Sequence, residues 1–423
     1  MSNNHSSNGS EEHGEGICLL SPEPEVITLD IRYFVYGPVL FFVVLFGIVG
    51  NILNFLIFNK SFWGGRKERQ QSQQHQQRTR TRVPKMHKYL AVLSVWDLML
   101  IVSSFFLYNL PYLMYGRVRM YGSYVRVYPY AYAMACAART GGIWILIASA
   151  VDRYFAVCHP FTHHVYITTK RTNLVLAAFC TLSFIYGWPR YYHIILEDCF
   201  NMIVEEWTVV ALGSNLRANP VYWYAYKIAA DLTLVSVGPF IVLLCLSLAV
   251  VLAVRRSTSS RRAQRQLNLE RIESSSALRT RQNSSVLTNL QGDETSLSRA
   301  NQIITSIRRH ERSQRRRSFQ ETQNSLNFML VTVLAKFLVC HSLPAVLDVC
   351  ETTMDPTAFQ APFMDDMVHA ANALVIVNGS LNVVLYLLCS RRFRLGVVNL
   401  LFGGLKRQHS RSPGVSESTL REA

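Results

Sequence analysis

Long apolar runs separated by polar segments dominate this chain. Runs such as 37–58 and 235–254 contain almost no polar residue, whereas a helix on a water-soluble protein keeps a polar face. Crossing a bilayer takes about 20 consecutive apolar residues in a helix. Seven stretches are long enough: 34–59, 87–115, 128–158, 171–190, 222–254, 325–350 and 367–389. The pattern predicts an all-α membrane protein, a bundle of seven transmembrane helices.

A shorter amphipathic segment, 390–403, follows the seventh stretch. Its apolar residues recur at helical spacing beside several arginines: Phe393, Val397, Leu400 and Leu401. This arrangement predicts a short eighth helix lying on the membrane surface. The chain then divides into an N-terminal segment (1–33), the bundle (34–389), the surface helix (390–403) and a tail (404–423).

The distribution of basic residues predicts how these segments are oriented across the membrane. The chain is 50% hydrophobic with a net charge of +16, and basic residues crowd the connection at about 60–86, while the N-terminal segment is acidic. Basic connections stay cytoplasmic, so we expect an extracellular N-terminus, a cytoplasmic tail and a multi-pass protein of the plasma membrane. The connections at about 60–86 and 255–324 carry too little apolar surface to fold and are predicted to be disordered.

Other functional classes find little support. The basic connections lack the interleaved aromatic residues of nucleic-acid binders, so their charge is better explained by an anionic lipid bilayer. We find no catalytic constellation, metal-ligand cluster or phosphate-binding glycine loop, and expect neither an enzyme nor a cofactor. A transporter or channel would need paired charges along a path, or an inverted repeat. Asn4 and Asn8 lie in glycosylation sequons on the predicted outer side.

Five short motifs occur in order along the predicted spans: Gly50-Asn51, Leu93-Ser94-Val95-Trp96-Asp97, Asp152-Arg153-Tyr154, Pro239 and Asn382-Val383-Val384-Leu385-Tyr386. Together they resemble the pattern of rhodopsin-like (class A) G-protein-coupled receptors. Within that class, Trp188-Pro189-Arg190-Tyr191-Tyr192 and Ala156-Val157-Cys158-His159-Pro160 resemble invertebrate FMRFamide-type neuropeptide receptors. The resemblance implies an extracellular amidated peptide as ligand, with a heterotrimeric G protein, a receptor kinase and arrestin as partners. Another small peptide is the alternative ligand.

The resemblance implies an activation switch near the cytoplasmic end of the third span. An arginine at mid-bilayer costs about 2.5 to 3.5 kcal/mol on insertion scales, so one held by an adjacent aspartate suggests a pair that can break. The residues expected to serve activation and G-protein coupling are Asp152, Arg153, Tyr154, Pro160, Phe161, Asn382 and Tyr386.

Polar residues at membrane depth should face the bundle interior, because unpaired polar groups are unfavourable in lipid. The expected network contains Asn51, Asp97, Asn378 and Asn382, and the resemblance implies a sodium ion at Asp97. Ordinary hydrogen bonding between helices, worth about 0.6 kcal/mol each, is the alternative for the asparagines. Lys336 lies inside the sixth span without a partner that the sequence identifies.

Some positions depart from the family's pattern. Val383 stands where a proline is usual, and the sixth span lacks the usual tryptophan, so His341 and Ser342 are alternatives for the rotamer switch. The family's disulfide joins the second outer loop, here Cys199, to the third span, which has Tyr128 at that position. Cys136 lies about two turns deeper, roughly 12 Å away, and the pair Cys18–Cys199 is favoured.

The outer ends of the spans are acidic and aromatic. Ligand-binding candidates are Asp231, Asp348, Glu197, Asp198, Tyr128 and Tyr191, which suit a cationic peptide that ends in Arg-Phe-amide. A solvated rim is the alternative for the loop carboxylates. Asp231 and Asp348 lie within apolar helices, and for Asp231 we expect the ligand to supply the missing cation.

Overall fold

The computed structural model describes residues 34–71, 86–113, 124–201, 206–256, 327–354 and 361–401, together with positions 259, 266, 267 and 325. Its helices confirm the prediction of a seven-helix membrane bundle. Six are long and apolar enough to cross a membrane, and a bent pair makes a seventh. They are span 1 (Val35–Asn59), span 2 (Met86–Leu113), span 3 (Tyr128–Cys158), span 4 (Thr169–His193), span 5 (Pro220–Arg256), span 6 (Asn327–Thr353) and span 7 (Pro362–Ser380 with Asn382–Cys389).

Several predictions fall on other parts of the chain. Asn4, Asn8 and Cys18, the connection at 72–85, most of the connection at 257–324 and the tail from 402 lie outside the described residues. They stay predictions.

Polarity is distributed as expected for a bundle in lipid. Large apolar side chains such as Phe42, Leu174 and Leu388 are mostly exposed, whereas Asp97 and Asn382 are buried. In water such an apolar exterior would favour association. In a bilayer it removes the need for a polar surface, and the interior is where polar groups find partners.

Small residues let neighbouring spans approach closely. A Cβ atom on Gly187 of span 4 would lie 2.6 Å from the Cβ of Ala137 in span 3, and one on Gly50 of span 1 would lie 2.7 Å from Cγ1 of Val383 in span 7. Membrane helices gain packing contacts in this way, since lipid provides no hydrophobic drive between them. Gly50, part of the first motif, therefore has a packing role.

Span 5 is interrupted ahead of its proline, Pro239. A π-helical segment, Trp223–Ala230, precedes Asp231, and the backbone N–H groups of Val235 and Ser236 both donate to the Asp231 carbonyl, at 3.0 and 2.9 Å. Pro239 has no N–H to continue the helical ladder. Span 5 is thus irregular on both sides of the acidic residue, with the π-helical segment before Asp231 and a turn at Val235 and Ser236 after it.

Span 7 bends by 41° between its two helical segments, although Val383 replaces the usual proline. The backbone carbonyl of Asn378 accepts a hydrogen bond from Lys336 of span 6, and that of Gly379 accepts one from Asn51 of span 1 at 3.0 Å. Side chains that enter the helical hydrogen-bond ladder kink a helix. Polar groups of two neighbouring spans therefore account for this bend.

Two elements differ from the sequence-based expectations. An antiparallel hairpin, β1 (Ile194–Asn201) and β2 (Glu206–Gly213), joins spans 4 and 5, although the prediction was all-α. Its strands are rich in β-branched and aromatic residues, which favour strands. The helix that contains span 1 also continues to Gln71, although disorder was predicted from about residue 60. The segment is rich in Lys, Arg, Glu and Gln, which are good helix formers.

The predicted surface helix is present as Arg391–Leu401. Phe393 is buried and lies 5.5 Å from the ring of Phe58 and 5.6 Å from that of Tyr386. Leu395 is exposed. The helix is thus amphipathic, and its buried face closes the end of the bundle between spans 1 and 7.

Candidate functional site

Asp152 and Arg153 form a buried ion pair near the end of span 3. Nη2 and Nε of Arg153 donate to Oδ2 of Asp152, at 2.5 and 3.1 Å, and both side chains are almost inaccessible. The helix continues to Cys158 and breaks at His159, where the backbone is no longer helical, as is common before a proline. The structure therefore brings together the two residues of the predicted switch.

A short helix after this break carries two more of the predicted coupling residues, Pro160 and Phe161. It runs over Pro160–Tyr166, and Phe161 on it is 89% exposed. His163 of the same helix contacts the other carboxylate oxygen of Asp152, with its Nε2 atom 3.2 Å from Oδ1. Sequence reasoning missed His163, because nothing in its spacing indicates that the short helix folds back onto Asp152.

The other predicted members of the switch lie apart from this pair. Tyr154 packs its ring against His159, with centroids 5.7 Å apart. Tyr386 is buried against Phe58, at 5.2 Å, and its hydroxyl has no hydrogen-bond partner among the described residues.

The predicted interior network is assembled around Asn382. The Nδ2 atom of Asn382 donates to Oδ2 of Asp97 at 2.5 Å, and its Oδ1 accepts from Nζ of Lys336 at 2.6 Å. Lys336 also donates to the carbonyl of Asn378. Asn51 joins the same region by donating to the carbonyl of Gly379 at 3.0 Å. Spans 1, 2, 6 and 7 are thus connected through polar groups.

The residues around Asp97 do not fit the sodium ion that the resemblance implies. Lys336, whose partner the sequence could not identify, lines the same cavity of about 30 Å³ as Asp97. Among the described residues, span 3 contributes Ala138, Arg139 and Gly142, with Ile143 and Leu146, to its wall. None of them has a side-chain oxygen. The Asp97 carboxylate therefore shares its cavity with the ammonium group of Lys336, and the described residues of span 3 add no oxygen ligand for a sodium ion.

The alternatives for the rotamer switch occupy different environments. The imidazole of His341 is buried and stacks on Phe337, with ring centroids 3.9 Å apart. Ser342 is exposed and donates to the carbonyl of Val339 at 2.8 Å. His341 is thus the one of the two that lies inside the bundle.

We call the opposite end of the bundle the hairpin end, because β1 and β2 follow span 4 there. Asp231 at this end already has protein partners. Its Oδ2 pairs with Nη2 of Arg190, its Oδ1 accepts from the hydroxyl of Tyr186 at 2.6 Å, and Nζ of Lys227 lies 3.9 Å away. The expectation that a ligand must supply the cation was therefore wrong. Lys227 precedes Asp231 by four residues, a spacing that places side chains on one helix face and could have been recognised.

Asp348 is also paired within the protein. Its Oδ2 lies 3.4 Å from Nη2 of Arg139 on span 3. Next to it on span 6, Glu351 accepts from Lys227 of span 5 at 3.3 Å. Three carboxylates inside the bundle at the hairpin end, Asp231, Asp348 and Glu351, are thus each paired with a basic side chain, and ion pairs link span 6 to spans 3 and 5.

The remaining ligand candidates are more peripheral. Glu197 and Asp198 are exposed on β1. Tyr191 stacks on Trp188 and its hydroxyl contacts that of Tyr130 at 3.3 Å. Trp188 and Tyr130 are both about half exposed, an arrangement typical of aromatic residues at a membrane boundary.

Tyr128 is half-buried and stacks on Tyr132, with ring centroids 6.4 Å apart. It lies at the start of span 3, on the same helix as Arg139, and remains a candidate for ligand binding at this end. Cys199 of β1 is disulfide-bonded. Seven other cysteines in the described part are free. Because Cys18 lies outside the described residues, its pairing with Cys199 stays a prediction.

Comparisons with known proteins bear on this arrangement. The FMRFamide receptor of Drosophila melanogaster is 21% identical over 399 residues, which cover 93% of this chain and 58% of that receptor. The FMRFamide peptide receptor frpr-18 of Caenorhabditis elegans is 20% identical over 373 residues, 86% of this chain and 68% of the relative. Cephalotocin receptor 1 of Octopus vulgaris is 30% identical over 139 residues, 31% of this chain and 33% of the relative. The chain thus spans less than two thirds of the Drosophila receptor's length.

A family model described as 7 transmembrane receptor (rhodopsin family) matches residues 78–386. That range extends from before span 2 to Tyr386 in span 7, and it contains the Asp152–Arg153 pair and most of the interior polar network. The predicted class is confirmed, and members of that family are signalling receptors rather than enzymes. This multi-pass membrane chain belongs to the rhodopsin family of seven-transmembrane receptors.

Proposed function

We propose that this chain is a plasma-membrane receptor for an extracellular FMRFamide-like amidated peptide and that it activates a heterotrimeric G protein. Two relatives whose names describe FMRFamide receptors cover 93% and 86% of the chain. The observation that carries the coupling half of the proposal is the closed Asp152–Arg153 pair. We place the N-terminus outside the cell and the Asp152 end in the cytoplasm, on the strength of the basic residues at 60–86.

Activation proceeds as a population shift. The peptide binds better to a state in which span 6 has swung outward at the Asp152 end, and this difference in affinity moves the equilibrium. Arg153, released from Asp152, and the exposed Phe161 then contact the G protein. A receptor kinase and arrestin recognise the same activated face.

Asp348 is the best partner for an arginine of the peptide. Side chains of the Arg139–Asp348 pair are 28% and 27% exposed and its atoms are 3.4 Å apart. Those of the Arg190–Asp231 pair are 7% and 17% exposed, and Asp231 has two further partners. A ligand guanidinium can therefore replace Arg139 at Asp348 with less loss of protein contacts than it would cause at Asp231.

Exposed carboxylates assist the approach of such a peptide. Glu197 and Asp198 on β1 lie at the hairpin end without burial. Charges of this kind raise association rates rather than affinity, and salt screens their effect.

The test is a panel of amidated peptides ending in Arg-Phe-amide, applied to cells that express the receptor. Asp348→Asn should weaken an active peptide about tenfold or more, since a charged hydrogen bond contributes about 1.5 to 3 kcal/mol. Replacing the peptide arginine by citrulline should add little further loss on that variant. Asp231→Asn is the matched control, and for it the full citrulline penalty should remain. Equal binding of the arginine peptide to Asp348→Asn and wild type would overturn the assignment.

G-protein coupling is tested separately. Arg153→Ala should keep peptide binding and surface expression but lose nucleotide exchange on the G protein, because Arg153 lies about a membrane's thickness from the peptide cavity. Full signalling by a normally expressed Arg153→Ala receptor would contradict the proposed role of the pair.

A different extracellular ligand is the second candidate. The octopus relative, named a cephalotocin receptor, is 30% identical, although over only 139 residues. If peptides ending in Arg-Phe-amide fail while ligands of that relative activate the receptor, the second candidate replaces the first.

A further inference from the structure

Lys336 is placed where it can hold three spans together. From span 6 its Nζ atom donates to the backbone carbonyl of Asn378 and, at 2.6 Å, to Oδ1 of Asn382, both on span 7. Asn382 links Lys336 to span 2, because its Nδ2 atom donates to Oδ2 of Asp97 on that span at 2.5 Å. Lys336 and Asp97 also line the same cavity. The ammonium group is thus linked to the buried carboxylate of Asp97 through the amide of Asn382.

A second cation at this place would be unfavourable. The cavity beside Asp97 measures about 30 Å³ and has Arg139 in its wall as well as Lys336. A sodium ion there would bring further positive charge to one carboxylate, and like charges at short range repel strongly in a low-dielectric interior. It would also compete for Oδ1 of Asn382, which Lys336 already occupies.

We infer that the Lys336 ammonium group takes the place of a sodium ion at Asp97 and acts as a tethered cation that ties span 6 to spans 2 and 7. Sodium ions exchange with the solution and their effect depends on concentration, whereas a side-chain cation is always present. The inactive arrangement of this receptor is therefore stabilised independently of extracellular or intracellular sodium.

This cation also opposes the motion described under the proposed function. An outward swing of span 6 at the Asp152 end must draw Lys336 away from the Asn378 carbonyl and from Asn382. Loss of these bonds raises the free energy of the active state relative to the closed one. Lys336 is thus a positioning residue for span 6, and this second part of the inference rests on the proposed function, while the first part does not.

Thermal unfolding of the purified, ligand-free receptor tests the first part without any G protein. Wild type should unfold at the same temperature in sodium chloride and in choline chloride of equal ionic strength. In Lys336→Met, the vacated carboxylate and amide should bind sodium, and sodium chloride should raise the unfolding temperature above that in choline chloride. The double variant Lys336→Met/Asp97→Asn removes the carboxylate and should lose this sodium-specific rise.

Two outcomes overturn the inference. One is a sodium-specific stabilisation of wild type, and the other is a Lys336→Met protein that gains none. If Lys336→Met cannot be purified in folded form, Lys336→Gln is a neutral polar replacement to which the same criteria apply. The wild-type comparison of sodium chloride with choline chloride needs no variant, and a sodium-specific stabilisation there overturns the inference by itself.

Basal signalling tests the second part. Cells that express Lys336→Met at the same surface level as wild type should show several-fold higher ligand-independent activity, and Lys336→Arg, which keeps the charge, should stay closer to wild type. Unchanged basal activity in Lys336→Met, in a receptor whose peptide response is intact, would refute the positioning role. A receptor that never activates a G protein would instead contradict the proposed function. The first part of the inference, that Lys336 takes the place of sodium at Asp97, would be unaffected.

Discussion

The Arg190–Asp231 pair offers the sharpest test of the ion pairs at the hairpin end. Asp231→Asn removes the carboxylate and leaves Arg190, whose side chain is only 7% exposed, without a charged partner. Removing one member of a buried ion pair costs about 3 to 5 kcal/mol, because the other charge stays buried. The ring of Tyr226, 5.6 Å from the guanidinium, offsets part of this through a cation–π contact of about 0.5 to 2 kcal/mol. We therefore expect a loss of about 2 to 3 kcal/mol.

Removing the arginine should cost less. In Arg190→Gln, Asp231 keeps the hydroxyl of Tyr186 at 2.6 Å and Lys227 at 3.9 Å. The hydrogen bond that Asp231 keeps from Tyr186 contributes about 1.5 to 3 kcal/mol. It offsets roughly half of the 3 to 5 kcal/mol that an uncompensated buried charge costs, so we expect Arg190→Gln to lose about 1 to 2 kcal/mol. The double variant should be no less stable than Asp231→Asn, because its second change removes the unpaired charge.

The measurement is the apparent unfolding temperature of the four purified proteins without ligand. The expected order from highest to lowest is wild type, Arg190→Gln and then Asp231→Asn, with the double variant at or above the last. Additive losses in the double variant would show that the two side chains act independently. A lower temperature for Arg190→Gln than for Asp231→Asn would contradict the role of Tyr186 and Lys227 as remaining partners.

Three further predictions concern other parts of the molecule. Asp152→Asn should raise ligand-independent signalling by weakening the hold on Arg153, and unchanged basal activity at equal surface expression would count against the switch. Phe161→Ala should lower the maximal G-protein response while leaving the unfolding temperature unchanged, because an 89% exposed ring contributes little to stability; a destabilised variant would show that the ring is packed. Cys199→Ser and Cys18→Ser should each reduce surface expression to the same extent, with no further loss in the double variant, whereas unequal effects would indicate a different disulfide partner.

The sequence alone was informative about the spans and about polar residues inside them. Seven apolar stretches lie close to the observed helices, because membrane thickness dictates span length. Asp152 and Arg153 could be paired from the sequence because they are adjacent. The hairpin at 194–213 was missed, since short strands with aromatic and β-branched residues do not stand out among apolar spans.

Partners of the intramembrane charges were the least predictable feature. Arg190 and Asp231 are 41 residues apart, and Lys336 and Asn382 are 46 apart, so their contacts depend on how spans are arranged around each other. Lys227 is the exception, because its distance of four residues from Asp231 could have been used. Treating Asp231 as unpaired made the hairpin end look more acidic than it is, because Asp231, Asp348 and Glu351 each have a basic partner there.

The bend in span 7 has a consequence for how this helix keeps its shape. A proline imposes a kink that persists wherever the helix is placed, because the missing N–H is part of the chain itself. Here the carbonyls of Asn378 and Gly379 accept hydrogen bonds from Lys336 and Asn51, so the polar contacts at the bend come from neighbouring spans and not from a proline of span 7 itself. The shape of span 7 should therefore depend on spans 1 and 6, and we expect a displacement of span 6 that breaks the Lys336 contacts to change the bend of span 7 as well.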